Sequence, residues 1–166
     1  MRPNKLRQLL DAGKPTLCAR TATVWPDVVE LIGALGLYDY VEYAAEYGTF
    51  GLTDLDNYCR AAELYGLSTM IKIDQEPKLA LAQRAIGSGF SSVLFVDCRT
   101  VEEVERCVRI CRPDTPEDGG LFGVAARRFA YGSGGREEFV QALRDVVVAI
   151  MLEKAPLVEQ LEQVLA

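Results

Sequence analysis

Asp145-Val-Val-Val-Ala-Ile-Met-Leu-Glu153 carries an unbroken apolar run from Val146 to Leu152 between two carboxylates. Apolar side chains at both parities predict a strand buried on both faces, the kind found in parallel sheets. Glu153 follows at once and opens a helical pattern. Ligand sites of α/β folds form at the C-terminal ends of parallel strands, so this position marks Glu153 as a site carboxylate. The alternative at this point is a solvated Glu that starts the next helix.

Working outward from that run, the same rhythm repeats upstream. Asn4 to Ala12 places Leu6, Leu9 and Leu10 on one helical face, stopped by Gly13. A strand is expected over Thr16 to Thr21. Pro26 then opens a helix whose stripe is Val28, Leu31, Ile32 and Leu35. Tyr38 to Ala45 reads as the second strand, and Thr53-Asp-Leu-Asp56 as a capping box with Asp in place of Glu. Ser68 to Ile73 is the third strand, followed by a helix from Lys78 to Ile86. Ser91 to Val96 is the fourth. Thr100-Val-Glu-Glu103 is a capping box, with Val101, Val104, Val108 and Cys111 lining one face behind it. Arg136 to Arg144 is helical, with Phe139, Val140 and Leu143 inward. Beyond Glu153, the spacing of Leu157, Val158, Leu161, Val164 and Leu165 predicts a last helix.

Strand–helix units without hairpin dipeptides imply a parallel sheet in one domain spanning residues 1–166. It closes either as an open doubly wound sheet or as a (β/α)8 barrel. The loop Thr21-Ala-Thr-Val-Trp25 has no glycine and cannot be a dinucleotide-binding turn, which weakens the open sheet. A barrel takes about 250 residues. These 166 residues hold five to six of eight units, so a C-terminal third is expected beyond Ala166.

Composition narrows the chemistry. The net charge of -6 argues against general affinity for nucleic acid or an anionic membrane. The N-terminus lacks the apolar core of a signal peptide, and no apolar run reaches membrane-spanning length. Five cysteines without a CxxC pair read as reduced thiols of a cytoplasmic protein. Histidine is absent, which removes every imidazole base and the His-dependent nucleophile systems. Acid–base work falls to Asp, Glu, Lys, Tyr, Cys or water.

In a parallel sheet all strand exits share one edge. They read Arg20, then Glu46 and Tyr47, then Lys72 and Asp74, then Asp97 and Arg99, then Glu153. Lys72 interrupts an apolar strand, where an unpaired charge is expensive. In a barrel mouth it would pair with carboxylates and hold an anionic substrate; at a sheet edge it would snorkel to water. Arg20 is a second candidate for binding substrate. Glu153 and Glu46 could anchor a hard divalent cation directly or through water. The segment Arg112 to Gly135 is too long for a simple connection. Within it, Arg127-Arg128 could reach a substrate carboxylate or a neighbouring subunit, and Tyr131-Gly-Ser-Gly-Gly135 is either an anion cradle or a flexible linker.

Asn4-Lys-Leu-Arg-Gln-Leu-Leu-Asp-Ala-Gly13, Tyr38-Asp-Tyr-Val-Glu42, the Glu46 exit, Ile71-Lys-Ile-Asp74 with Pro77, and Leu152-Glu153 together resemble the HpcH/HpaI aldolase family. The resemblance implies a (β/α)8 barrel and a metal-dependent, pyruvate-type aldolase. Such an enzyme uses Mg²⁺ or Mn²⁺ and cleaves 4-hydroxy-2-oxo acids to pyruvate and an aldehyde. It also implies a homo-oligomer, typically a hexamer of swapped dimers. By the same resemblance Glu153 is the metal ligand. Lys72 stands where the family has the Arg that holds the pyruvate oxygen and stabilises the enolate. Glu46 is the Glu of a Glu-His pair, and Tyr47 replaces its His. Gly87 replaces the Asp that pairs with that His, and Met151 replaces a Gln. A second metal-ligand Asp would lie beyond Ala166. Loss of the His-Asp dyad keeps a second reading open, a non-catalytic barrel that binds a 2-oxo acid or serves in assembly.

Overall fold

The computed structural model describes residues 3–123 and 135–165. Strands β1 (Cys18–Thr21), β2 (Tyr40–Ala44), β3 (Ser68–Ile73), β4 (Ser92–Phe95) and β5 (Val147–Ile150) form one sheet in sequential order. Every neighbouring pair is parallel. Between and after them run α1 (Lys5–Asp11), α2 (Pro26–Ala34), α3 (Leu52–Leu64), α4 (Lys78–Ser88), α5 (Val101–Cys111), α6 (Arg136–Arg144), α7 (Ala155–Val158) and α8 (Leu161–Leu165). This is the succession of a (β/α)8 barrel carried through five strands.

Strand alternation sorts the side chains onto two faces. Val41, Tyr43, Ile71, Ile73, Val93 and Phe95 are fully buried and point to the helices. There they meet Leu55, Tyr58, Cys59 and Ile86, with Tyr58 stacked on Phe90 at 5.6 Å between ring centroids. The opposite parity presents Arg20, Glu42, Met70, Lys72, Leu94 and Ala149, the row that faces a barrel interior.

The N-terminal end of that inner face is plugged by α1. Leu6 packs on Met70 and Val147. Asn4 caps α1 by accepting from Arg7 N–H at 3.3 Å, and its amide donates to the carbonyls of Ser91 at 2.8 Å and Asp145 at 2.9 Å. One Asn thus caps a helix and ties it to the strands on either side of the β4–β5 seam. The polar rim is left at the C-terminal end.

Several expectations shift. β5 is four residues long, and Leu152 beyond it is 42% exposed. Among the described residues β5 pairs with β4 alone. The strand buried throughout is β3, which has a neighbour on each side. On α2 the inward residues are Val29, Ile32 and Gly33, while Leu31 and Leu35 face out. Gly33 explains the rotation, because a Cβ there would stand 2.5 Å from Tyr65 Cγ. On α5, Cys107 and Ile110 are buried with Val104 and Cys111, and Val108 is exposed. On α1, Leu10 is exposed. The α3 cap lies two residues earlier than the Thr53 box. Gly51 is the N-cap residue, and its N–H donates to Asp54 at 2.7 Å.

Candidate functional site

β3 delivers Lys72 to the inner face one residue before the strand ends. Beside it, β2 leaves through a 3-10 turn, Ala45–Tyr47, whose Glu46 and Tyr47 bend over the strand end. Lys72 Nζ lies 2.5 Å from Glu46 Oε2 and donates a hydrogen bond to Tyr47 Oη at 3.2 Å. Lys72 itself is only 5% exposed. The Tyr47 ring receives two cations, Lys72 at 4.7 Å from its centroid and Arg20 at 5.3 Å. Arg20, from β1, also pairs with Glu42 of β2 at 3.3 Å.

Four expected site residues, Arg20, Glu46, Tyr47 and Lys72, therefore form one connected cluster. Its electrostatics follow from burial and pairing. Burial alone would lower the Lys72 pKa. The hydrogen bonds to Glu46 and Tyr47 and the Glu46 charge outweigh it, and the ammonium is held above its ordinary range. Lys72 is a permanent cation at neutral pH, an electrostatic group rather than a free amine.

Glu42 is the cluster member that reading the strand exits missed. It sits mid-strand, half-buried, two positions before Ala44, which is itself in register with Lys72. Burial pushes its carboxyl pKa up, while Arg20 and Lys72 pull it down. The strand parity that exposes Lys72 also exposes Glu42, and that was the available signal.

Glu153 lies apart from this cluster. Its carboxylate is exposed and accepts the Asp97 N–H at 3.2 Å. Asp97, in the exit of β4 with φ +59°, is in turn ion-paired with Lys154. That hydrogen bond to Lys154 holds the Asp97 carboxyl below its usual range. Glu153 is a hard oxygen donor open to solvent. Among the described residues, however, no three His, Cys, Asp or Glu side chains gather to hold a metal. Asp74 and Arg99 are exposed. Gly87 is buried in α4, so no carboxylate stands there. Arg127, Arg128 and residues 131–134 lie outside the described residues.

No protein-family model matches the sequence, and no curated protein does. Solved structures do. An HpcH/HpaI aldolase/citrate lyase family protein from Burkholderia cenocepacia J2315 matches 98% of the chain with a TM-score of 0.85 and 25% identity. The HpcH/HpaI aldolase from Desulfitobacterium hafniense DCB-2 matches 98% with a TM-score of 0.84 and 22% identity. Citrate synthase SbnG matches 98% with a TM-score of 0.79 and 18% identity. The chain covers 64%, 62% and 61% of these three structures respectively. It thus spans about three fifths of their length.

Proposed function

From a chain that folds as the HpcH/HpaI aldolases do, we propose a carbon–carbon lyase that cleaves or forms a 4-hydroxy-2-oxo acid through a pyruvate enolate. The observation that carries this reading is the buried Lys72 held at the rim by Glu46 and Tyr47. When the C3–C4 bond of such an acid breaks, the electron pair moves onto the 2-oxo oxygen. A preorganised ammonium beside that oxygen stabilises the developing charge at no reorganisation cost. Arg20 supplies a second cation for the substrate carboxylate. Glu46 keeps Lys72 charged and in place. The Tyr47 hydroxyl, already the acceptor of Lys72, holds or passes a proton at the substrate oxygen, since the chain has no imidazole.

A divalent cation, Mg²⁺ or Mn²⁺, belongs to this proposal, with Glu153 as the residue that would hold it. Bound there, it would supply Lewis-acid polarisation of the 2-oxo group. Glu153 fits as one oxygen ligand, though among the described residues it belongs to no group of three His, Cys, Asp or Glu side chains that would complete a site.

Assembly is part of the same reading. The outward face of α2 and its flanks exposes Trp25, Leu31, Leu35 and Leu37, consistent with a homo-oligomer such as a hexamer. No disulfide joins any of the five cysteines, and a cytoplasmic setting is part of the same proposal. No described helix is long and apolar enough to cross a membrane.

Calorimetric titration with oxalate, a mimic of the pyruvate enolate, in the presence of Mn²⁺ tests the site. Release of pyruvate from a panel of 4-hydroxy-2-oxo acids tests the reaction. Absence of oxalate binding would remove the proposal. Binding without turnover would favour the second reading, a barrel that binds 2-oxo acids without catalysis. Lys72 already paired by Glu46, and Tyr47 in place of a base, are the observations on that side.

A further inference from the structure

Away from the rim cluster, the helix-side core holds two thiols and an ammonium in contact. Cys98 follows β4, and its Sγ lies 3.8 Å from Cys107 Sγ on α5. Lys78, the first residue of α4, places Nζ 3.6 Å from Cys98 Sγ. All three are buried: Cys98 0%, Cys107 1% and Lys78 9% exposed. The rotation of α5 that turns Val108 outward is what carries Cys107 in.

The Lys78 charge needs a partner. Taking an ammonium out of water is costly unless an anion or strong acceptor meets it. Among the described residues no carboxylate forms an ion pair with Lys78, and its Nζ donates to Cys98. A thiolate at Cys98 is the anion this arrangement accommodates. The hydrogen bond from Cys107, together with the Lys78 charge, holds the Cys98 thiol below its usual range against burial and the opposing charge of Glu103. The Cys107 thiol is correspondingly raised by its bond to Cys98 and by burial, which makes it the proton holder of the pair.

A cleft of about 80 Å³ opens onto Lys78 and Cys107, lined with them by Glu76, Glu103 and Arg106 among others. It is large enough for a molecule the size of hydrogen peroxide and reaches Cys107, whose sulfur lies 3.8 Å from that of the fully buried Cys98.

We propose that Cys98 and Cys107 are a reversible redox pair, with Cys98 the attacking thiolate, Lys78 its counter-ion and Cys107 the resolving thiol. The oxidant is a hydroperoxide. Cys98 thiolate attacks the distal peroxide oxygen, the O–O bond breaks, and the leaving oxygen takes a proton, giving water or an alcohol and a sulfenic acid on Cys98. The Cys107 sulfur then attacks the Cys98 sulfur. The S–O bond breaks, hydroxide leaves with the Cys107 proton as water, and the disulfide remains. Two thiols have lost two electrons and the peroxide has gained them. A dithiol reductant reverses the step by exchange.

The full chain is treated with hydrogen peroxide under native conditions, alkylated, unfolded, digested and mapped by mass spectrometry. The expected product is a Cys98–Cys107 cross-link that loses two hydrogens and disappears with dithiothreitol, while Cys59 and Cys111 stay alkylatable after unfolding. In Cys107→Ser, dimedone should label Cys98 and no cross-link should form. Lys78→Gln should slow cross-linking by about tenfold through the lost thiolate fraction, with an unchanged circular dichroism spectrum as the control for folding. Peroxide that oxidises Cys18 or Cys59 before Cys98, or cross-linking in Lys78→Gln at the parent rate, would overturn the assignment.

Discussion

Lys72 Nζ and Glu46 Oε2 stand 2.5 Å apart and join the end of β3 to the turn that leaves β2. A buried ion pair of this kind is weak evidence for stability, because desolvation consumes most of the Coulombic gain. Its value lies in holding one positive charge at a fixed place on the sheet edge. At Lys72 a folded pKa above the ordinary 10.5 means the pairing stabilises fully below that pH. It is lost only as pH rises through the raised value, so it operates unchanged across the neutral range.

Lys72→Met should therefore remove most turnover with a 4-hydroxy-2-oxo acid. One preorganised donor at a developing oxyanion is worth about 10²–10³ in kcat. Lys72→Arg keeps the charge and should retain activity. Steady-state kinetics of the two variants decides it: a kcat for Lys72→Met within about threefold of the parent makes Lys72 structural.

A lysine that stays protonated does not form imines, since the nucleophile is the free amine. Incubation with pyruvate and borohydride should thus leave the intact mass unchanged. A trapped adduct mapped to Lys72 would replace the electrostatic role with a covalent one.

Glu42 titrates in the opposite direction from a well-paired carboxylate. Its folded pKa is raised above 4.5, mainly by burial. An acid that binds protons more tightly when folded adds stability below its unfolded pKa and loses it as pH rises through the folded value. Ionised Glu42 is then a net cost at neutral pH. Glu42→Gln should raise stability at pH 7 by less than about 1 kcal/mol, because the half-exposed Arg20 partner loses little. At pH 4 the gain should shrink toward zero. Urea unfolding at both pH values is the measurement, and an equal gain at both would show that packing, not charge, is responsible.

What the sequence showed of this site depends on which residues announce themselves. Lys72 did, as a charge inside an apolar strand, and Glu46, Tyr47 and Arg20 did as polar residues at strand exits. Glu42 did not. It lies mid-strand between Val41 and Tyr43, and only the parity shared with Lys72 places it on the inner face. The βα order was legible because each unit carries its own punctuation. Helix phase was not, because α2 offers Leu31 and Leu35 on one arc and Val29 with Gly33 on the other. Hydrophobicity prefers the leucines, whereas close packing needs the glycine, which alone lets the Tyr65 ring approach. For β5, apolar residues at both parities promised burial on both faces, yet within Val147–Ile150 only Val147 is buried.

The outward arc of α2 should behave as an association surface. Leu31 and Leu35 are 69% and 60% exposed and lie one helical turn apart. The double variant Leu31→Glu, Leu35→Glu should shift the protein toward monomer in sedimentation velocity without lowering the melting temperature of the fold. An unchanged sedimentation distribution would place the oligomer contacts elsewhere.

Glu153 separates the metal reading from a structural one. Its Oε1 accepts the Asp97 N–H, and a glutamine oxygen accepts the same bond. Glu153→Gln keeps volume and contact while removing the charge that holds a hard cation. It lies before α7, whose cap residue is Lys154, so helix α7 loses no capping group. Stability should change by no more than a few tenths of a kcal/mol, as for other surface substitutions. Affinity for Mn²⁺ should fall by about an order of magnitude or more, with turnover partly recovered at high Mn²⁺. If Glu153 only ties the β5 exit to Asp97, the two proteins will follow the same Mn²⁺ dependence. Activity titrated against Mn²⁺ for parent and variant side by side is decisive, and coincident curves would take Glu153 out of the site.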